Sequence, residues 1–174
     1  ADALVPRQAA QGAGVADLYL AGAGSLRVAR EPEQRWGVRT HAIPCDVTSW
    51  DSVTTAMERC VGTLGSLDIL INNVGGGGPI GYVEDNSVAD IEPGVRLNFV
   101  SQLFCCKAAL AHMIPRRSGA IVNISSEGGK AGMPGIAVYN ACKAAVIGFT
   151  KSFVFEVSQY GIRVNCVCPG IMLV

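Results

Sequence analysis

Three short runs of nearly unbroken apolar residues constrain this chain more than any other feature. They cover 67–72 (LDILIN), 119–125 (GAIVNIS) and 162–168 (IRVNCVC), and each ends in small or polar residues on its C-terminal side. A strand with one wet face alternates apolar and polar residues. A run that stays apolar throughout fits a strand buried on both faces, as in a parallel sheet. Helical spacing fills the intervals. The stretch 49–62 opens on Thr48 or Ser49 as an N-cap and places Val53, Ala56, Met57 and Cys60 on one face. The stretch 91–113 carries Val95, Leu97, Val100, Leu103, Phe104 and Ala108, and 139–158 carries Ala145, Ile147, Phe149, Phe153 and Val157 before Gly161 stops it. This alternation predicts an α/β fold: a doubly wound, Rossmann-like parallel sheet in a three-layer α/β/α arrangement. In such sheets ligands bind beyond the C-terminal ends of the strands, which is where the polar clusters of this chain fall.

Composition narrows the function classes. A length of 174 residues fits one domain, and 49% apolar with 16% charged residues suits a packed core rather than disorder. Fourteen basic residues balance fourteen acidic ones without a basic run, which excludes a nucleic-acid binder held by phosphate contacts and a polybasic membrane anchor. Seven cysteines are an odd number with no CxxC spacing, so they read as reduced thiols of an intracellular protein. The two histidines make no zinc site without those cysteines, and no metal is expected. The longest apolar stretch, 99–114, is interrupted by Lys107 and His112, so no membrane span is predicted. No signal pattern follows Ala1. The chain reads as cytoplasmic and as a piece of a longer one.

Chemistry concentrates on a few side chains. Tyr139 and Lys143 stand four apart on an expected helix and share a face. A phenol ordinarily ionises near pH 10, and an ammonium beside a phenol favours its anion, so such a pair moves protons to or from an alcohol or carbonyl oxygen. Taken alone, the pair also fits two ordinary surface residues. Ser126 lies thirteen residues earlier, at the end of a strand, where its hydroxyl can hold a substrate oxygen. Asn98, in the preceding helix, carries an amide able to bridge Lys143 to a water.

With these residues in view, the chain resembles the short-chain dehydrogenase/reductase family. The matching residues are Asp46-Val47-Thr48, Asn72-Asn73-Val74-Gly75, Asn98, Ser126, the 139–143 segment YNACK and the 164–170 segment VNCVCPG, over about residues 37–172. The resemblance implies a general acid/base at Tyr139, a Lys143 that lowers the phenol's pKa and holds the nicotinamide ribose, a Ser126 that positions the carbonyl or hydroxyl, and an Asn98 that completes a proton relay. The thirteen-residue spacing selects Ser126 over its neighbour Ser125. It also implies that Asp46 and Val47 contact adenine, that Asn73 and Gly75 line the adenosine ribose, and that Pro169, Gly170 and the Met172 backbone flank the nicotinamide carboxamide. The hydride then comes from NADP or NAD. Family members are dimers or tetramers. The stretches 91–113 and 139–158 would supply the interface of a homodimer or homotetramer.

The front of the chain departs from the family pattern. The family opens with a glycine turn that brings backbone amides and a helix N-terminus to the pyrophosphate. Here Gly12 and Gly14 stand where its last two glycines belong, Gln8 stands for the first, and the Thr-Gly pair is missing. Gly22 and Gly24 form an alternative loop, read as the end of a first helix. Residues 26–30 would be a second strand, 39–44 a third, and 1–36 a degraded first βαβ unit. Arg30 leans the cofactor slightly towards NADP, and Glu31 beside it weakens that lean. Pro93 falls in the helix that carries Asn98, so either that helix starts late, near Asp90 or Glu92, or Asn98 is misplaced. The chain stops at Val174, before the substrate-covering parts of the family, which would leave 162–168 as an exposed edge strand.

Two functions follow as alternatives. One is an oxidoreductase interconverting a secondary alcohol and a ketone. The other is a non-catalytic fragment or assembly module that keeps the fold. Within the family the Tyr-x-Ala-Cys-Lys and Val-Cys-Pro-Gly forms are closest to 3-oxoacyl carrier-protein reductase-like and hydroxyacyl-CoA dehydrogenase-like members, and Asn-Asn-Val-Gly-Gly-Gly-Gly is also similar to hydroxysteroid dehydrogenase-like ones. The small, apolar stretch 75–82 has no charged clamp for a carboxylate, so an apolar or thioester-linked ketone is expected as the small-molecule substrate.

Overall fold

The computed structural model describes residues 14–19, 37–76 and 78–170. The chain divides into two compact units, 1–67 and 68–174. In the first, β1 (Val15–Tyr19) pairs in parallel with β2 (Thr40–Pro44), Val15 opposite Thr40 and Tyr19 opposite Pro44. The helix α1 (Trp50–Leu64) follows. Ser49 caps it by accepting from the Ser52 N–H, and Gly65, at φ 89°, ends it with its N–H on the Val61 carbonyl. The buried residues of α1 are Val53, Ala56, Met57 and Cys60, the four whose spacing predicted the helix.

Gly14 corrects the reading of the front turn. It stands immediately before β1, and the Val15 N–H donates to the Arg39 carbonyl at 2.9 Å. A strand follows it, whereas the last glycine of a phosphate turn must lead into a helix whose free amides face the anion. Its missing side chain serves packing instead: a Cβ there would lie 2.6 Å from a Leu64 methyl. Gly12, Gly22, Gly24, the 26–30 strand, Arg30, Glu31 and Met172 lie outside the described residues.

The second unit contains three parallel strands in the order β3–β4–β5: β3 (Ile69–Asn72), β4 (Gly119–Ile124) and β5 (Ile162–Val167). Parallel neighbours need crossovers. A long helix joins β3 to β4, and α4 (Ala137–Val157) joins β4 to β5. The long helix runs as α2 (Val88–Val95), a π-helical turn (Arg96–Val100) and α3 (Ser101–Arg116). Leu70, Ile121, Ile162 and Val164 from the sheet are buried, as are Cys106, Ala109 and Met113 from α3 and Val146, Phe153 and Val157 from α4. The parallel sheets with their flanking helices are the α/β, Rossmann-like fold that the apolar runs predicted. The 29-residue helix Val88–Arg116 is long and apolar enough, by length and composition, to cross a membrane. In this fold it is a core helix, and it buries Asn98, Ser101 and Gln102 along with its apolar side chains.

Neither expectation for Pro93 holds. The helix starts early, at Val88, with Ser87 as its cap accepting from the Asp90 N–H at 3.2 Å. Pro93 is therefore internal, where it lacks an N–H and crowds the carbonyl of the preceding turn. The π turn follows within three residues and absorbs the irregularity. Asn98, at the centre of that turn, is 1% exposed and tightly held.

Candidate active site

Every side chain of the expected relay belongs to the second unit, and the sheet's C-terminal edge organises them. Lys143, on α4, is 3% exposed, and its Nζ donates to the Ile124 carbonyl at the end of β4, 3.0 Å away. The same Nζ sits 5.6 Å from the centre of the Tyr139 ring, one turn earlier on α4. Burial pulls the Lys143 pKa below the usual lysine range, because desolvation penalises the ammonium.

Ser126 begins the 3₁₀ turn Glu127–Gly129 and accepts from the Gly128 N–H at 3.2 Å. A hydroxyl has one hydrogen to give as well as lone pairs to receive, so this contact leaves the O–H able to donate. Its neighbour Ser125 has a different task. The Ser125 hydroxyl donates to the Lys143 carbonyl at 2.7 Å and locks β4 to α4. The turn packs so closely on α4 that a Cβ on Gly129 would lie 2.8 Å from that carbonyl oxygen. Ser125 and Ser126 thus split into an anchor and a hydroxyl still able to donate.

Asn98 joins the same cluster from the π turn. Its Oδ1 accepts from the Gly76 N–H at 2.8 Å, and its Nδ2 donates to the Gly94 carbonyl at 3.0 Å. Gly75 fits between the two helices. A Cβ there would lie 2.9 Å from Lys143 Nζ and 3.1 Å from Asn98 Oδ1. Within the glycine run after β3 it is therefore Gly75 that approaches the site closely, and Asn73 nearby is exposed. After β5, the Pro169 carbonyl accepts from the Glu127 N–H at 2.9 Å, which brings Pro169 and Gly170 to the turn that carries Ser126.

Sequence reasoning missed two supports. Asn72 and Asn123 lie opposite each other in β3 and β4, where Asn72 Nδ2 donates to Asn123 Oδ1 at 2.9 Å and Asn123 Nδ2 to Thr150 Oγ1 at 3.0 Å. An asparagine near the end of each of two apolar runs was the available signal. Gln102, one turn beyond Asn98, donates to the Ile124 carbonyl that also receives Lys143. Nothing in the spacing marks it.

In the first unit Asp46 folds back on itself. Its Oδ1 accepts from the Thr48 N–H at 2.9 Å and the Thr48 hydroxyl at 2.7 Å, a turn that leads into α1. Val47 is buried.

The model of the family described as short chain dehydrogenase matches residues 1–174. The chain belongs to the short chain dehydrogenase family. Among curated family members, it is 41% identical over 114 residues to an uncharacterized oxidoreductase of Thermotoga maritima, covering 66% of this chain and 45% of that protein. It is 37% identical over 142 residues to a 3-oxoacyl-[acyl-carrier-protein] reductase of Staphylococcus aureus, covering 79% of this chain and 55% of that one. A crystal structure of an NAD+-bound xylitol dehydrogenase superposes with a TM-score of 0.93 at 30% identity, covering 99% of this chain and 66% of that structure. The chain spans about half the length of the curated short chain dehydrogenases it matches.

Proposed function

We propose that this chain is a nucleotide-binding oxidoreductase domain that interconverts a secondary alcohol and a ketone with NAD(H) or NADP(H). One observation carries the reading: Lys143 Nζ lies 5.6 Å from the Tyr139 ring centre, and the Ser126 turn is docked on the backbone of the same lysine. The chain's own groups fit a nicotinamide nucleotide, because the side-chain-free surface at Gly75 opens directly onto Lys143 Nζ and Asn98. Bound there, the nucleotide supplies or accepts the hydride. Lys143 would hold its nicotinamide ribose, Asn73 and Gly75 its adenosine ribose, Asp46 and Val47 its adenine, and Pro169 and Gly170 its carboxamide.

The protein's contribution is proton placement. Ser126 donates its hydroxyl hydrogen to the substrate oxygen and fixes it in position. In the reducing direction Tyr139 gives its phenolic proton to that oxygen as the carbonyl becomes an alcohol; in oxidation it takes the proton back. The buried ammonium of Lys143 stabilises the phenolate left behind. Asn98 holds the glycine loop against the lysine and completes the relay.

The exposed Ile80, Tyr82 and Val83 support an apolar or 3-oxoacyl-type ketone over a small charged acid. Seven free cysteines fit a reducing, cytoplasmic setting. Phe155, 81% exposed on α4, suits coverage by a second copy in a homodimer or homotetramer. The alternative, a module that keeps the fold without turnover, draws on Gly14, which leads into a strand where the family's phosphate turn leads into a helix.

Fluorescence titration with NADPH and then NADH separates the two readings and ranks the cofactors. Saturable binding by the folded chain is expected, and its absence would leave only the module. Tyr139→Phe should then lower turnover by about two to four orders of magnitude while nucleotide affinity holds. Turnover indifferent to that change would remove the proton relay.

A further inference from the structure

Glu127 follows Ser126 directly and opens the turn Glu127–Gly129. Its N–H is fixed on the Pro169 carbonyl at 2.9 Å, and its carboxylate reaches the same loop, since a Cβ built on Gly170 would lie 2.8 Å from Glu127 Oε2. Gly170 thus leaves the room that this carboxylate occupies. Glu127 is exposed, and among the described residues the ion pair formed is Arg116–Asp68, with no cation on Glu127. A carboxylate therefore lies at Gly170, in the loop that the Pro169 carbonyl holds against the turn carrying Ser126, and among the described residues no basic side chain forms an ion pair with it.

We propose that Glu127 is a specificity-determining residue. It accepts a hydrogen bond from a hydroxyl next to the reacting carbon and repels a carboxylate or phosphate at that position. An ionised carboxylate only accepts hydrogen bonds, so a neighbouring hydroxyl completes it, whereas a second anion meets both repulsion and a missing donor. The substrate class this selects is a ketone or alcohol with a hydroxyl beside the reacting carbon, which narrows the alcohol/ketone reading and sets aside its 3-oxoacyl form. Charges remote from the reacting carbon are not discriminated. The inference rests on the alcohol/ketone reading of the site.

Hydroxyacetone and pyruvate make the test. Both are three-carbon ketones, and they differ in carrying a hydroxymethyl group or a carboxylate beside the carbonyl. The chain should reduce hydroxyacetone in preference to pyruvate, judged by kcat/KM. Glu127→Gln should lower that ratio by about fivefold, the scale of one exposed charge contact, and Glu127→Lys by more. Glu127→Asp should keep most of the preference. A ratio that ignores both the Gln and the Lys variants overturns the proposal. Direct binding of the two probes to the nucleotide-loaded chain, followed by saturation-transfer NMR, keeps the two readings apart. If the dehydrogenase reading alone fails, Tyr139→Phe changes no turnover, yet hydroxyacetone still binds better than pyruvate and Glu127→Gln still erases the difference. If the Glu127 reading alone fails, Tyr139→Phe abolishes turnover while both probes bind alike.

Discussion

The two units fill their interiors with different chemistry. Among the described residues, all nine buried polar or charged side chains belong to 68–174, from Asn72 to Thr150, whereas the buried side chains of 37–67 are apolar, from Val38 to Leu67. A buried polar group stabilises a fold only when it is hydrogen-bonded, and an unmade bond costs about 1–3 kcal/mol. The second unit accepts that risk because its hydrogen bonds aim functional groups: Ser125 ties β4 to Lys143, Gln102 shares the lysine's carbonyl, and Asn98 ties the glycine loop to the long helix. In the first unit the polar bonds at Asp46, Thr48 and Ser49 close an exposed turn and cap a helix, while apolar contacts fill the interior. Polar order in the core therefore coincides with the unit that holds the proposed relay.

The strongest way to break that contrast is to force the two halves of the site apart. Gly129→Ala would place a methyl 2.7 Å from the Lys143 carbonyl carbon and 2.9 Å from Ser125 Oγ, atoms of backbone and of a locked side chain. One of them has to move. The expected cost is about 1–3 kcal/mol in denaturant unfolding, with a larger proportional loss of turnover because Ser126 shifts with the turn. Unchanged stability would mean that the turn and α4 are not in the contact that the site requires.

How much of this could be read beforehand also differs between the units. The three apolar runs became β3, β4 and β5 within two residues of their expected ends, but burial on both faces does not hold for β5, where Ile162 and Val164 are buried and Arg163, Asn165 and Val167 are exposed. Helical spacing and a strand end placed Tyr139 and Lys143 on one helix and Ser126 just after β4, where the structure has them, while the roles proposed for them came from the family resemblance. Pro93 was misjudged because the remedy is tertiary. The π turn is held by Asn98 bonding to Gly94 and to Gly76, twenty-two residues away, and no local rule contains that second partner. Gly14 failed for a related reason. A glycine ahead of a short strand fits a phosphate turn or a tight approach to a helix, and the Leu64 side chain decides between them from fifty residues on. The contact of Glu127 with Gly170 was equally hidden, since it depends on the register of β4 against β5.

Lys143 sharpens the contrast between function and stability within the second unit. Burial lowers its pKa, so the unfolded chain holds the proton more tightly than the folded one. An unfolded lysine titrates near 10.4, and between the folded value and that one the unfolded state binds more protons. Stability therefore rises with pH across that window, and below it the fold carries the full cost of an ammonium out of water. Lys143→Met removes that cost, and the Ile124 carbonyl keeps its bond from Gln102. The variant should melt higher than the parent at neutral pH, by about 2–4 °C, and lose turnover. The gain should shrink as the pH climbs towards 10.4. An equal gain at pH 7 and at high pH would assign the effect to packing instead.

The smallest expected effect has the opposite sign to the first and comes from the other unit. Gly62 lies in α1, and a Cβ there would meet no atom within 4 Å. Nothing in the site requires this glycine, whereas Gly75 faces Lys143 Nζ and Gly129 faces the Lys143 backbone and Ser125 Oγ. Its only contribution is the backbone freedom that glycine keeps in the unfolded chain, which disfavours the helix by about 0.5–1 kcal/mol relative to alanine. Gly62→Ala should therefore raise the denaturant midpoint and leave nucleotide binding unchanged. A loss of stability would mean that the α1 surface at Gly62 is covered.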